Sequence, residues 1–397
     1  MSKVEELLAK YNPNGVDNIP LWELTAWDKK FNAVDKSMQK KVIKYKYYLA
    51  KDLDALVDDT GDIRILYTNE KVAYTSEEKC NGNICEGEIV AIPWGGTPTV
   101  KYYNGKFVTG DNRIATSLDT KILNNKYLFY WMISQLGTIA DFYRGAGIQH
   151  PSMISVLSMQ IPLPHIKVQE EIVKILDSFT NLIDALNEEL SLRQKQFEYY
   201  REKLLTFKTN GKDIVFDILE NIAPYSKKRI NSEMLNAENY VGVDNLLQNK
   251  EGKDISTSVP NSGNWTRYDE GDILIGNIRP YLKKIWIADR TGGASGDVLV
   301  FSLKDKSLLL PKCLYYLLSS DEFFEYDNNS ARGAGMPRGD KKVICRYSIA
   351  FPKDKSIQQS IVEKLDAFES LISSLKEEIA LRQKQYEYYR EKLLTFD

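Results

Sequence analysis

Histidine and cysteine are scarce in this chain of 397 residues: there are two histidines, His150 and His165, and four cysteines, Cys80, Cys85, Cys313 and Cys345. Cys80 and Cys85 make one C-x4-C pair, with no second pair and no histidine cluster at ligand spacing, so no metal site is expected. No run of about 18 apolar residues occurs. The opening MSKVEELLAKYNPNG has acidic residues where a signal sequence needs an apolar core, so no membrane segment is expected and a reducing, cytoplasmic setting fits. A GxxxxGK[ST] phosphate loop, a glycine-rich methyl-donor motif and an NPPY-type methylase motif are also missing. Asn221 to Tyr225 reads NIAPY, without the paired prolines. Catalytic residues and a cofactor are therefore not expected. An excess of positive charge is lacking as well, since 53 Lys plus Arg stand against 55 Asp plus Glu. Any DNA footprint must be local, or be completed by basic partner subunits.

What the chain does have is one sentence written twice. RQKQFEYYREKLLTF, Arg193 to Phe207, returns as RQKQYEYYREKLLTF, Arg382 to Phe396, with 14 of 15 positions identical at an offset of 189. Two units of module followed by helix, in tandem, are expected. Such units can sit about a pseudo-twofold axis, the geometry needed to read a double helix at two places.

Upstream of each copy the apolar positions step by three and four. Ile172, Leu176, Phe179, Ile183, Leu186 and Leu190 lead to Phe197, Tyr200, Leu204 and Phe207, interrupted only by Arg193. Ile361, Leu365, Phe368, Ile372, Leu375 and Ile379 lead to Tyr386, Tyr389, Leu393 and Phe396, interrupted only by Arg382. A sustained 3.5-residue period with charged flanks predicts a coiled coil. Each helix starts after prolines, Pro162 and Pro164 or Pro352, and runs for roughly 40 residues, about 60 Å.

The modules repeat more faintly. Glu86-Gly87-Glu88-Ile89 returns as Glu270-Gly271-Asp272-Ile273, Gly110-Asp111 as Gly296-Asp297, and Arg144-Gly145-Ala146-Gly147 as Arg332-Gly333-Ala334-Gly335. Their offsets drift through 184, 186 and 188, as expected of one fold whose loops have been rewritten. Strands are predicted over 88–92, 100–108, 272–275, 284–288 and 297–301, with a helix over 127–136 and another over 313–318, so each module reads as α+β.

The order of module, RGAG loop, proline-bearing segment and long helix, written twice, resembles the DNA-specificity subunit of type I restriction-modification enzymes over essentially the whole chain. The repeated helix is the most specific element, and the run YVGVDNLLQ from Tyr240 to Gln248 supports it. The resemblance implies an α+β protein with two β-rich target-recognition domains, 1–160 and 211–350, separated by spacer helices, 161–210 and 351–397, packed as an antiparallel coiled coil. It implies a non-catalytic reader of a split double-stranded DNA sequence, partnered by two methyltransferase subunits and by translocating restriction subunits. The alternative is a tandem-domain scaffold whose coiled coil joins protein partners without DNA.

Phosphate contacts need donors and mobility, whereas base reading needs side chains that reach the groove edge. The RGAG loops supply the first kind through Arg144, Gly145, Gly147 and Gln149, and through Arg332, Gly333, Gly335, Arg338 and Lys341. Arg279, Tyr281, Lys283 and Lys284 form a second, basic and aromatic candidate. Trp94, Gly95 and Gly96, followed by Lys101, Tyr102 and Tyr103, hold the corresponding place in the first module. Lys40, Lys41, Lys44 and Lys46, and Lys227, Lys228 and Arg229, are candidates for tracking phosphates.

Overall fold

A computed structural model of the protein describes residues 2–80, 82–207 and 213–396. The chain forms two compact units, Met1–Asn187 with Glu378–Asp397, and Glu188–Glu377. Each long helix therefore contributes to both units. The expected boundary at 210 and 211 lies outside the described residues.

The first unit is built on a six-stranded sheet, ordered Thr25–Trp27, Asn112–Ser117, Cys85–Pro93, Lys101–Thr109, Ile63–Leu66 and Val72–Thr75. Only the pairing of Lys101–Thr109 with Ile63–Leu66 is parallel. Alternation along Cys85–Pro93 feeds two cores, as the period of two demands. Val90 and Ile92 face Tyr127, Leu128 and Trp131 of the helix Asn125–Ser134, while Ile89 and Ala91 join Phe107 and Ile114 under Tyr45 and Tyr103. The helix starts where Asn124 accepts the amides of Lys126 and Tyr127.

The second unit divides its strands between two small sheets. Ile285–Ile287, Ile273–Gly276 and Val298–Phe301 pair antiparallel, and Arg229–Asn231, Asn264–Tyr268, Gly292–Ala294 and Tyr240–Val241 form the other. Ile273 and Ile275 pack toward the helix Pro311–Leu318, and Leu274 packs toward Val241 and Tyr268.

Both units close on an antiparallel strand pair, Asn18–Pro20 with Gln160–Pro162 and Ile214–Ile218 with Ser348–Pro352. The later strand of each pair leads into a helix of 40 residues, Ile166–Leu205 or Lys355–Leu394. In the second unit Phe197 and Tyr200 meet Phe368 with ring centroids 6.5 and 5.4 Å apart, and Leu204 reaches the core that holds Ile361 and Leu365. Numbers rise along one helix as they fall along the other, so the helices are antiparallel. Mid-helix seam residues such as Ile183, Leu186, Ile372 and Leu375 are half-buried between exposed flanks, the narrow seam of a two-stranded coil.

The repeated sentence does more than continue the seam. Leu204, Leu205 and Phe207 pack on the second unit's core, and Leu393, Leu394 and Phe396 on the first's. Arg193 and Arg382, the breaks in the pattern, are satisfied along their own helices. Arg193 donates to Glu189 and Gln196, both at 2.8 Å, and Arg382 to Glu378 at 2.8 Å and Gln385 at 2.7 Å.

Candidate nucleic-acid interface

The RGAG segments form tight hairpins. In the first unit Tyr143 and Arg144 pair with Pro151 and His150, and every residue from Arg144 to His150 is exposed. Gly145 has φ of 142°, a conformation that favours glycine, and a side chain there would meet the Ile148 carbonyl at 2.9 Å. In the second unit Arg332 and Arg338 exchange both backbone hydrogen bonds, at 3.0 and 2.9 Å, and Gly333 has φ of 110°.

Each hairpin is tied to the loop that follows its unit's central strand. The Gly96 amide donates to the Gln149 carbonyl at 3.3 Å, and the Arg279 amide donates to the Pro337 carbonyl at 2.7 Å. The Trp94 amide donates to the Asp111 carbonyl at 2.9 Å, and the Asn277 amide donates to the Asp297 carbonyl at 2.8 Å. The faint sequence landmarks thus converge on one construction: an RGAG hairpin, a partner loop and a Gly-Asp corner. Within the first unit Trp94–Gly96 joins Arg144–Gln149. Within the second, Arg279–Lys283 joins Arg332–Arg338.

The same frame carries different chemistry in the two units. In the first, Arg113 lies 3.8 Å from the centre of the Trp94 ring, and His150 leans on that ring at 5.0 Å with Nδ1 2.6 Å from the Trp94 carbonyl. Asp111 holds Arg113 and Lys29 at 2.8 and 2.9 Å. Partial burial works to raise the Asp111 carboxyl, but these two cations outweigh it and the net direction is down. In the second unit Asp297 grips Arg338 of the hairpin at 2.9 Å, and Tyr281 stands exposed on the partner loop. Arg279 and Lys283 both adopt left-handed backbone conformations, with φ of 53° and 50°. Lys283 pairs with Asp321 at 2.9 Å, and Lys341 lies 4.9 Å from the Tyr225 ring. Arg144 and Arg332 carry no ion pair among the described residues, so both guanidinium groups are available to an anion.

Lys284 is not on this surface. It is buried, its ammonium donates to the Val243 carbonyl at 2.6 Å, and desolvation lowers its pKa. Lys101 is likewise turned onto the Tyr67 carbonyl, and burial brings it down to about 8. Lys228 is engaged by Asp269 at 2.8 Å, and Arg229 reaches the Thr266 hydroxyl at 3.1 Å. Lys40, Lys41 and Lys44 are exposed, beside Lys46, which donates to Asn83 at 3.0 Å.

Sequence reasoning missed what lies beneath the second hairpin. Asp327 is fully buried, and among the described residues neither carboxylate oxygen has a hydrogen-bond partner. A side chain at Gly339 would collide with Asp327 Oδ1 at 2.0 Å and meet Asn277 Oδ1 at 3.0 Å, so glycine is what lets the hairpin settle over this pair. Desolvation raises the Asp327 carboxyl to about 7. Among the described residues, no group of three or more His, Cys, Asp or Glu could hold a metal, and no helix is long and apolar enough to cross a membrane.

Comparison with known proteins follows the same two-fold division. A family model described as the type I restriction modification DNA specificity domain matches residues 18–192 and again 212–381. A putative type I restriction enzyme specificity subunit of Haemophilus influenzae is 28% identical over 343 residues, covering 81% of this chain and 86% of its own length. The EcoR124I/EcoR124II specificity subunit of Escherichia coli is 26% identical over 436 residues, covering 100% of this chain and 97% of its own. The crystal structure of the type I S subunit from M. genitalium superposes with a TM-score of 0.64 at 15% identity, covering 96% of both chains, a likeness of fold.

Proposed function

Because the chain belongs to the DNA-specificity family of type I restriction-modification enzymes, we propose that it is the non-catalytic, sequence-reading subunit of such a complex, acting on double-stranded DNA in the cytoplasm. Residues 1–160 and 211–350 are its target-recognition domains, and 161–210 and 351–397 are its spacer helices. Each domain reads one half of a bipartite target. The complex's methyltransferase and restriction subunits are brought to that target and carry the chemistry.

The observation that supports this reading best is the hairpin with its partner loop, built twice on one backbone frame with unlike side chains. A conserved frame with altered surface chemistry is what two readers of different half-sites require. Arg144, Gly145, Gly147 and Gln149 are the proposed contacts of the first domain. Arg279, Tyr281, Lys283, Arg332, Gly333, Gly335, Arg338 and Lys341 are those of the second. Lys284 supports the reading loop from inside.

Two methyltransferase subunits per chain are proposed from a second repetition. Leu192 and Tyr199 are 55% and 58% exposed, and their counterparts Leu381 and Tyr388 are 57% and 58% exposed. Spaced by seven, each pair lies on one outward helix face, and large exposed apolar groups of this kind mark partner surfaces. Identical residues in both units suit two copies of the same partner.

Exchange of the second domain for that of a homologue, with junctions near Phe207 and Pro352, tests the proposal. Methylation sequencing should show one half of the target changed and the other kept. Changes in both halves would overturn the modular reading.

A further inference from the structure

A buried glutamine joins each domain to its long helix. Gln169, in the first turn of one helix, is fully buried. Its amide nitrogen donates to the carbonyls of Ile122 and Pro164, both at 2.8 Å, and its oxygen accepts the Asn124 amide at 2.9 Å. Gln358, at the repeat offset of 189, is equally buried. It donates to Leu308 at 2.9 Å and Pro352 at 2.7 Å and accepts the Leu310 amide at 2.9 Å. One side chain thereby ties three segments together: the end of the closing strand or the turn just after it, the start of the domain's helix and the long helix itself.

A second tie follows two turns later. Asp177 accepts from Tyr130 at 2.6 Å and Lys126 at 2.8 Å, both on the domain's helix. Asp366, again at offset 189, accepts from Tyr316, while Lys312 lies 3.4 Å from it and 3.0 Å from Glu369. Position i and position i+8 share a helix face, so the two ties fix both the place and the tilt of the domain's helix against the long one. Apolar packing alone lets helices slide and rotate, because it is non-directional. Hydrogen bonds have preferred angles, and a buried amide leaves polar groups unsatisfied if it moves.

The reading surfaces differ between the domains, but these joints are the same. We propose that Gln169 with Asp177, and Gln358 with Asp366, are positioning residues that fix the angle of each domain on its helix and so set the gap accepted between the two DNA half-sites. The inference rests on the bipartite reading above and assigns gap selection to the joints as well as to helix length.

The test uses the full chain assembled with its methyltransferase subunits. Substrates are duplexes carrying the two half-sites at the native gap, one base pair shorter and one longer. Gln169→Leu and the double variant Lys126→Met/Tyr130→Phe are compared with the parent. In both, methylation of a wrong-gap duplex relative to the native one should rise by about tenfold or more, since a joint that no longer fixes geometry loses discrimination by misplacement. The bases preferred in each half should stay unchanged. If the Gln169→Leu chain fails to assemble, the double variant decides. A variant that keeps the parent's ratio between gaps, whatever its rate, overturns the proposal, as does a change in base preference. A parent that methylates no split target would instead strike the bipartite reading and remove the joints' role with it.

Discussion

The Phe179 ring lies stacked on Tyr389, with centroids 5.3 Å apart and planes 23° apart. Tyr200 and Phe368 repeat the arrangement at 5.4 Å and 21° in the other unit. Both correspondences obey the sequence offset, Phe179 to Phe368 and Tyr200 to Tyr389, so each helix supplies the phenylalanine to one unit and the tyrosine to the other. Phe179→Ala and Phe368→Ala should therefore destabilise their own units by similar amounts. About 1 to 3 kcal/mol each is expected, below the usual cost of a fully buried phenylalanine because these rings are half-buried. Thermal unfolding of the two variants checks this. Unequal losses would mean that the repeated geometry does not carry repeated energy.

Buried carboxyls make stability depend on pH. Burial raises Asp327 to about 7 in the second unit and Asp28 to about 6 in the first, from an ordinary 3.8. The folded chain then keeps protons that the unfolded chain releases, so stability falls as pH rises through that window, and the full cost is present above it. For Asp327 this cost is up to about 3 to 4 kcal/mol. Asp327→Asn should lessen the fall in the second unit's melting temperature between pH 4 and pH 8, with the largest gain over the parent at pH 8; Asp272, buried in the same unit and also raised by desolvation, keeps part of the slope. An unchanged pH profile would show that the carboxyl ionises normally.

The helices were legible because a 3.5-residue period and a near-verbatim repeat leave local sequence little freedom. The RGAG segments were legible as loops because glycines mark backbone conformations such as those of Gly145 and Gly333, whereas their pairing as hairpins was not. The inward turn of Lys284 was not legible. Its neighbour Lys283 adopts a left-handed conformation that no local pattern announces, and the next side chain turns inward. Asp327 sits in DEFFEYDNNS, which reads as a solvated helix end, and its burial comes from Gly339 folding back over it. Gln169 and Gln358 could have been found by extending the repeat upstream, where both fall at the same offset, but a glutamine before an apolar seam gives no sign of three buried hydrogen bonds.

Arg144 and Arg332, exposed and without an internal ion pair among the described residues, should serve phosphates more than bases. In the assembled complex, Arg144→Ala or Arg332→Ala should weaken binding to all DNA sequences alike and lower the salt dependence by about one counterion each. Titration of binding against salt concentration reads both quantities. A selective loss on one half-site would make the residue a base reader.

The exposed pairs should govern assembly one partner at a time. Leu192→Ser/Tyr199→Ser should reduce two bound methyltransferase subunits to one, and adding Leu381→Ser/Tyr388→Ser should reduce one to none. Neither change should unfold the chain, because exposed side chains contribute little to the core. Mass measurement of the purified complex reports the count, and two subunits on the fourfold variant would exclude these faces as docking sites.

As proposed above, this chain dictates where DNA is modified, and does so through a split target. If each module reads one face of the duplex, half-site centres about one turn, roughly 10 base pairs, apart are expected, with about six or seven unread between blocks of three or four. The most direct measurement is methylation sequencing of the host genome with and without this gene. A methylated motif of two short blocks with an unread gap, which vanishes when the gene is removed, is the expected result. A motif that persists without the gene, or a continuous one in its place, would contradict it.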